Sequence, residues 1–107
     1  MKIFVAFLLA FSCIGCDKAV DALKDDPEVI FKNDSNETIG NVFKRDCGTT
    51  SWRRMGGDID PASEKMFELD HGCYDFRAEM VTGQELLWED TEMEKGQVIT
   101  LTVYTDY

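Results

Sequence analysis

The sequence predicts an all-β fold, a small antiparallel β-sandwich of about six strands that follows an apolar N-terminal segment. Three observations favour it. From Glu28 onward, apolar and β-branched residues recur at every second position, which is the side-chain period of a β-strand. Clusters of Gly, Asn, Asp and Ser separate these segments. No stretch of about ten residues in this region carries the spacing of an amphipathic helix.

Six short segments carry the strand pattern, and the last three carry it most clearly. The segments span residues 28–33, 38–45, 64–69, 73–82, 85–92 and 97–104. In the fourth segment, Tyr74 and Phe76 alternate with charged residues, so one face is apolar and the other is polar. Turn residues at 82–84 and 94–96 separate the last three segments. Strands of this length predict a sandwich, with a small barrel as the alternative.

The N-terminus has the pattern of a secretory signal. One positive charge in Met1-Lys2 precedes an unbroken apolar run from Ile3 to Phe11, and small residues follow. The whole apolar stretch up to Cys16 would reach about 21 Å as a helix. The hydrocarbon core of a bilayer is thicker, at roughly 30 Å. A membrane-spanning helix is therefore the weaker interpretation of this segment.

Cys13-Ile14-Gly15-Cys16 resembles the lipobox that ends the signal peptide of bacterial lipoprotein precursors. In a lipobox, a branched apolar residue, a small or apolar residue and Gly or Ala precede an obligatory Cys, and Cys13 stands where Leu is usual. The resemblance implies that a diacylglycerol with palmitate-type acyl chains is attached to the Cys16 thiol and that the signal peptide is cleaved before Cys16. One alternative is ordinary signal cleavage near Ser12 or Gly15. The other is a redox or metal CxxC pair, which usually opens a helix after a strand.

The lipobox resemblance divides the chain into three parts. Residues 1–15 form the signal peptide, residues 16–27 hold the lipidated Cys and a tether, and residues 28–107 form the β-sandwich domain. Each buried methylene contributes about 0.8 kcal/mol, and two or more acyl chains hold a protein stably on a bilayer. We therefore expect a lipid anchor at the cell membrane, with the domain facing the periplasm or the exterior. Asp17 resembles a retention signal of enteric lipoproteins, which favours the inner membrane.

The lipobox also decides how the cysteines are interpreted. Removal of Cys13 and lipidation of Cys16 leave Cys47 and Cys73. Exported domains of this size meet oxidising conditions, so we expect these two residues to form a disulfide. Closing that loop is expected to stabilise the fold by about 3.5 kcal/mol, mainly through the entropy of the unfolded chain.

A metal site and a catalytic site are the alternatives for the same region. Cys47, Cys73 and His71 could bind a metal, with Asp70 or Asp75 completing a tetrahedral set of ligands. Nucleophilic catalysis needs a base beside a nucleophile, and the single His of the chain lies in a turn-forming segment. The acidic residues around 58–60 lack the ligand spacing of a calcium loop. We therefore expect no metal, no cofactor and no enzymatic activity.

The region 28–104 resembles small exported bacterial β domains of unassigned function. The shared features are Asn33–Ile39 with Val42, Ser51-Trp52, Asp60–Ser63, Gly72–Ala78 and Trp88–Asp90. The chain departs from the pattern at Pro61-Ala62, where Gly is usual, and at Arg53-Arg54 after the Trp. The resemblance implies a β fold and brings no particular activity.

Trp52-Arg53-Arg54 is the candidate contact for a partner. It places an adjacent Arg pair beside a Trp in an acidic chain, within a Gly- and Thr-rich segment that we expect to be a loop. Trp and Arg are enriched among the residues that dominate binding energy at interfaces. The competing hypothesis is that Trp52 covers the sandwich core while the two arginines pair with nearby carboxylates.

The charge balance excludes some classes of partner. The chain carries 11 Lys and Arg against 21 Asp and Glu, a formal net charge of −10. With no cationic stripe to displace counterions from phosphates, we expect no nucleic-acid binding. The predicted function is a membrane-anchored envelope lipoprotein with a non-catalytic binding or structural role toward an envelope protein. The alternatives are a secreted or envelope inhibitor-like module that blocks an enzyme, and a small hydrolase.

Overall fold

A computed structural model describes residues 3–11 and 26–106, and it confirms the all-β sandwich. Residues 26–106 form seven strands, and residues 3–11 add a further strand at one edge. The strands are β1 (Ile3–Phe11), β2 (Glu28–Asp34), β3 (Ile39–Asp46), β4 (Arg53–Ile59), β5 (Ser63–Glu68), β6 (Gly72–Met80), β7 (Glu85–Met93) and β8 (Val98–Asp106). Within these ranges, no helix is long and apolar enough to cross a bilayer.

The strands form two sheets that face each other. One sheet has the order β1-β8-β2-β5, and the other has the order β4-β3-β6-β7. No strand pairing joins the two sheets within the described ranges, so the fold is a sandwich rather than a closed barrel. Strands β2 and β8 run parallel, from the Glu28↔Val98 pair to the Asp34↔Tyr104 pair. The purely antiparallel expectation is wrong at this pair, because the period of a strand does not reveal the direction of its neighbour.

Strand β4 is absent from the six segments that the sequence predicts. Gly56 and Gly57 lie in its interior, and glycine weakens the strand signal of a sequence. The strand pairs with β3, where Asn41 faces Gly57. A Cβ atom at Gly57 would overlap the carbonyl oxygen of Gly40, so only glycine fits between these backbones. The six predicted strands begin and end within two residues of their expected bounds.

The core lies between the two sheets and is centred on Phe31 of β2. The rings of Phe67, Phe76 and Trp88 meet the Phe31 ring in edge-on geometry, with centroid distances of 6.0, 5.8 and 6.0 Å. Phe31 and Phe76 have no solvent exposure. Edge-to-face ring pairs add about 0.5–1.5 kcal/mol beyond the burial of their apolar area. The aromatic cluster therefore joins β2 and β5 of one sheet to β6 and β7 of the other.

Asn33, at the end of β2, is a fully buried polar residue with complete hydrogen bonding. Its amide nitrogen donates to the carbonyl oxygens of Glu37 and Ile59, each at 2.8 Å. Its carbonyl oxygen accepts from the Ser35 backbone N–H at 3.0 Å and from the Ser35 hydroxyl at 2.6 Å. These bonds tie the β2–β3 turn to the end of β4. Because a buried amide without partners is costly, this geometry favours one arrangement of the turn.

Candidate functional site

The disulfide joins neighbouring strands at one end of the sheet β4-β3-β6-β7. Cys47 follows β3, Cys73 lies in β6, and their Cα atoms are 5.4 Å apart. The Cys47 backbone N–H also donates to the Cys73 carbonyl oxygen at 3.1 Å. The predicted Cys47–Cys73 disulfide is thereby confirmed. Cys13 and Cys16 lie outside the described residues, and their predicted fates stay predictions.

Asp75 lies beside the disulfide, at a bulge between β6 and β7. The register shifts between Tyr74 and Phe76, and Asp90 on the opposite strand has a positive φ of 54°. The Asp75 carboxylate accepts the Asp90 backbone N–H at 2.9 Å and the Arg45 Nε–H at 2.8 Å. The carboxylate therefore satisfies a backbone donor that the bulge removes from the strand ladder.

The hydrogen bonds to Asp75 control its ionisation. The Asp90 backbone N–H, followed by the Arg45 side chain, lowers the pKa of Asp75 below the ordinary aspartate value, while burial opposes this change. The unfolded chain therefore binds the proton more tightly than the folded protein does. It follows that ionised Asp75 stabilises the fold above the ordinary pKa of about 3.9, and that this contribution disappears as the pH falls through the lower folded pKa.

Asp75→Asn is expected to remove this pH-dependent part of the stability. At neutral pH the variant should unfold at a lower urea concentration than the wild type, because the amide lacks the charge that Arg45 and the Asp90 N–H stabilise. The difference in unfolding free energy should shrink as the pH falls below about 4. Glu94→Gln, at an exposed turn, is the matched control. A constant difference between wild type and Asp75→Asn from pH 7 to 3 would contradict the assignment.

Four side chains next to Asp75 form a stack of alternating cations and rings. The Arg77 guanidinium lies 4.3 Å from the centroid of the Phe43 ring and 4.9 Å from that of Trp52. The Arg45 guanidinium lies 4.3 Å from the Trp52 centroid. We call Phe43, Arg45, Trp52 and Arg77 the arginine–aromatic stack. All four side chains are half-buried, so the stack is both packed and open to solvent.

Strand register brings the stack together. In the β3–β6 pair, Phe43 faces Arg77 and Arg45 faces Asp75. Because side chains alternate across a strand, these residues lie on the face opposite to the buried Phe76. The stack therefore occupies the outer face of the sheet, away from the core.

The structure places the predicted Trp52-Arg53-Arg54 contact at an edge strand rather than in a loop. Arg53 and Arg54 are the first residues of β4, and Trp52 directly precedes them. The Arg54 Nε–H donates to the Asn41 side-chain oxygen at 2.7 Å. Within the described ranges, Arg53 pairs with Lys44 through the strand backbone, while its exposed side chain makes no hydrogen bond or ion pair. Trp52 packs against arginines on the outer face, so it does not cover the core.

A cleft of about 370 Å³ lies beside the stack. Its lining includes Lys44, Arg45, Asp46, Arg53, Asp70 and Tyr74. The Tyr74 hydroxyl donates to the Asp70 carbonyl oxygen at 2.8 Å. Burial, followed by the charges of Asp70 and Asp46, raises the pKa of Tyr74 above its ordinary value, so the hydroxyl stays protonated. The cleft thus offers three cations, two carboxylates and one neutral phenol, so its cations outnumber its anions. We call it the cationic cleft.

Positive charge is concentrated around the stack and the cleft. Residues 26–106 contain eight Lys and Arg residues. Five of them belong to this region: Lys44, Arg45, Arg53, Arg54 and Arg77. The remaining surface of an acidic chain is correspondingly negative. The region is therefore the part of the described protein that is best suited to an anionic group.

The structure brings together a different set of possible metal ligands from the set that the sequence suggests. Within the described residues, Cys47, Cys73 and Asp90 bring donor atoms within 4.8 Å of one another. Both sulfur atoms belong to the disulfide, and a metal binds thiolates rather than a disulfide. His71 is exposed and does not belong to this group.

Several residues of the site carry no signal that stands out in the sequence. Phe43, Arg45, Asp75 and Arg77 occupy ordinary alternating strand positions, and the β3–β6 register alone makes them neighbours. The alternating charged face of β6 is visible in the sequence, but its partners on β3 are not.

No protein-family model matches this chain, and no curated protein shows significant similarity to it.

Proposed function

We propose that this protein is a lipid-anchored envelope protein that binds an acidic segment of a partner protein without catalysis. The contact surface is the arginine–aromatic stack together with the cationic cleft. The lipobox-like Cys13–Cys16 segment supports the anchor on Cys16. The observation that carries the binding proposal is the Arg77 guanidinium, which lies between two aromatic rings on an open sheet face.

The stack favours binding because its cations are already ordered. Phe43 and Trp52 cover Arg77, and the buried Nε of Arg77 has no hydrogen-bond partner within the described residues. An arginine held by rings loses little further side-chain entropy when it binds a carboxylate. Trp52 adds apolar area next to these charges, which is the composition of an interface centre.

Charge also supports an acidic protein segment as the partner. The net charge of −10 repels most acidic surfaces, while the cationic region attracts one that approaches from the correct side. Carboxylates match the fork of an Arg guanidinium in bidentate geometry. Binding should therefore weaken as salt rises, because exposed charges are screened over about 10 Å at 0.1 M ionic strength.

Crosslinking of the lipidated protein in its own envelope, followed by affinity measurement with the captured partner, tests the proposal. Arg53→Glu and Trp52→Ala are expected to weaken binding about tenfold or more, since each removes a charge or ring of the contact surface. Cys16→Ser is expected to move the protein from the detergent phase to the aqueous phase without changing its affinity for the captured partner.

Lys32→Glu is the matched control for the charge reversal. Lys32 lies on β2 in the other sheet, where its ammonium group is 3.8 Å from the Asp34 carboxylate. This variant should bind as the wild type does. Equal binding by Arg53→Glu, Trp52→Ala and the wild type would contradict the contact surface, and aqueous partitioning of the wild type would contradict the anchor.

A further inference from the structure

Strand β8 has one of its two neighbours in the predicted signal peptide. The backbones of β1 and β8 pair antiparallel over nine consecutive residues, from Ile3↔Asp106 to Phe11↔Val98, without a bulge. On its other side, β8 pairs with β2. Removal of residues 1–15 would therefore turn β8 from an inner strand into an edge strand with a row of unpaired backbone groups.

The other sheet edges carry features that discourage pairing between chains. Strand β5 is short and reads SEKMFE, with three charged residues. Strand β4 begins with two arginines and contains two glycines. Strand β7 contains four acidic residues and the bulge next to Asp90. Charges, short length and bulges are the devices by which natural sheets protect their edges.

Strand β8 lacks these devices. Its sequence VITLTVYTD has no proline and no charged residue before Asp106, and its pairing with β1 is regular. Ile99, Leu101 and Val103 are buried toward the core, while Thr100 and Thr102 alternate with them on the outer face. A long, regular, uncharged edge of β-branched residues is suited to accept another strand.

We propose that the mature chain forms a dimer in which β8 of one copy pairs antiparallel with β8 of a second copy. This inference rests on the removal of residues 1–15 that the proposed function includes. The antiparallel direction is the one in which β1 already occupies this edge. Pairing along all nine residues places Thr102 on the two-fold axis, with Val98 of each copy facing Asp106 of the other.

The chemistry of β8 favours a second copy as the occupant. Two acidic proteins repel each other, but this edge brings no charged side chains together between residues 98 and 105. Cross-strand pairs of β-branched residues stabilise antiparallel contacts by about 0.2–1 kcal/mol each. The two three-stranded sheets β8-β2-β5 then form one continuous sheet of six strands. Added salt should strengthen the dimer, because it screens the repulsion between the two bodies.

Thr102→Cys in the mature lipidated protein tests the pairing directly. A thiol on the two-fold axis faces the same thiol of the second copy at the Cα separation of neighbouring strands, about 4.5–5.5 Å, which a disulfide can bridge. Under mild oxidation we expect a covalent dimer. Non-reduced mass spectrometry should identify it as two copies of the peptide around position 102 joined by a disulfide. Met66→Cys, at an exposed position of the opposite edge strand, is the control and should form no covalent dimer.

Thr102→Lys supplies the second measurement. Like charges placed on the axis should convert the dimer to a monomer in sedimentation experiments, and an equimolar mixture with Thr102→Glu should restore association. A monomeric wild-type mature chain, or covalent dimers formed equally by both cysteine variants, would overturn the inference. Mass spectrometry of the N-terminus separates this inference from the proposed function. If residues 1–15 are retained, the proposed maturation fails, whereas a correctly processed monomer contradicts only the dimer.

Discussion

Phe31→Ala is expected to destabilise the fold by about 3–5 kcal/mol, the range for truncation of a buried aromatic ring. The Phe31 side chain has no exposure, and its ring contacts that of Phe67 in its own sheet and those of Phe76 and Trp88 in the facing sheet. Truncation leaves a cavity that these rings cannot fill without leaving their edge-on geometry. Small domains are commonly stable by only about 5–15 kcal/mol, so a large share of the folding free energy would disappear.

Urea unfolding followed by Trp fluorescence measures this loss. Trp88 reports on the core, since it contacts the Phe31 ring directly. Met66→Ala is the control, because Met66 is 56% exposed and its truncation should change the unfolding free energy by no more than about 0.5 kcal/mol. A loss below about 1 kcal/mol for Phe31→Ala would contradict the central place of this ring in the core.

Removing the disulfide is expected to cost about 3.5 kcal/mol in the chain-entropy account of cross-links. Cys47 and Cys73 are separated by 26 residues, a loop that contains β4, β5 and both turns around them. Without the covalent link, the unfolded chain gains the conformations that this loop closure excludes. Removal of the disulfide should also loosen the candidate binding site, because the disulfide lies beside Asp75 and holds the end of β3 next to the start of β6.

The double variant Cys47→Ala/Cys73→Ala and the reduced wild type should lose similar free energy in urea unfolding. Similar losses would show that the covalent link itself, rather than packing of the sulfur atoms, stabilises the fold. The double variant is also expected to weaken partner binding, because the β3–β6 register brings the arginine–aromatic stack together. Unchanged urea midpoints for both forms would contradict the proposed contribution of the disulfide.

Local sequence patterns predicted most strands of this fold. The alternation of Tyr74 and Phe76 with charged residues placed β6 and its buried face correctly. The turn residues at 82–84 and 94–96 lie between β6, β7 and β8, where Gly83 and Gly96 adopt positive φ. These features are visible in the sequence because period and turn chemistry are local properties of a chain.

The missed features depend on residues far apart in the chain. The interior of β4 contains two glycines, and its place in the sheet follows from the close approach of Gly57 to Gly40. The parallel pairing of β2 with β8 joins the two ends of the domain. Neither feature has a local signal, since each is decided by which backbone lies beside the strand.

The sequence by itself determined the fold class, the alternating faces of the strands and the pairing of Cys47 with Cys73. It also carries the lipobox-like pattern that predicts the anchor on Cys16. Only the tertiary structure decided that Arg77 lies between Phe43 and Trp52. It also decided that the Asp75 carboxylate accepts hydrogen bonds from Arg45 and from the Asp90 backbone N–H at the bulge. The physical reason is that a strand's own residues set which side chains share a face, whereas the register with its neighbours sets which side chains meet.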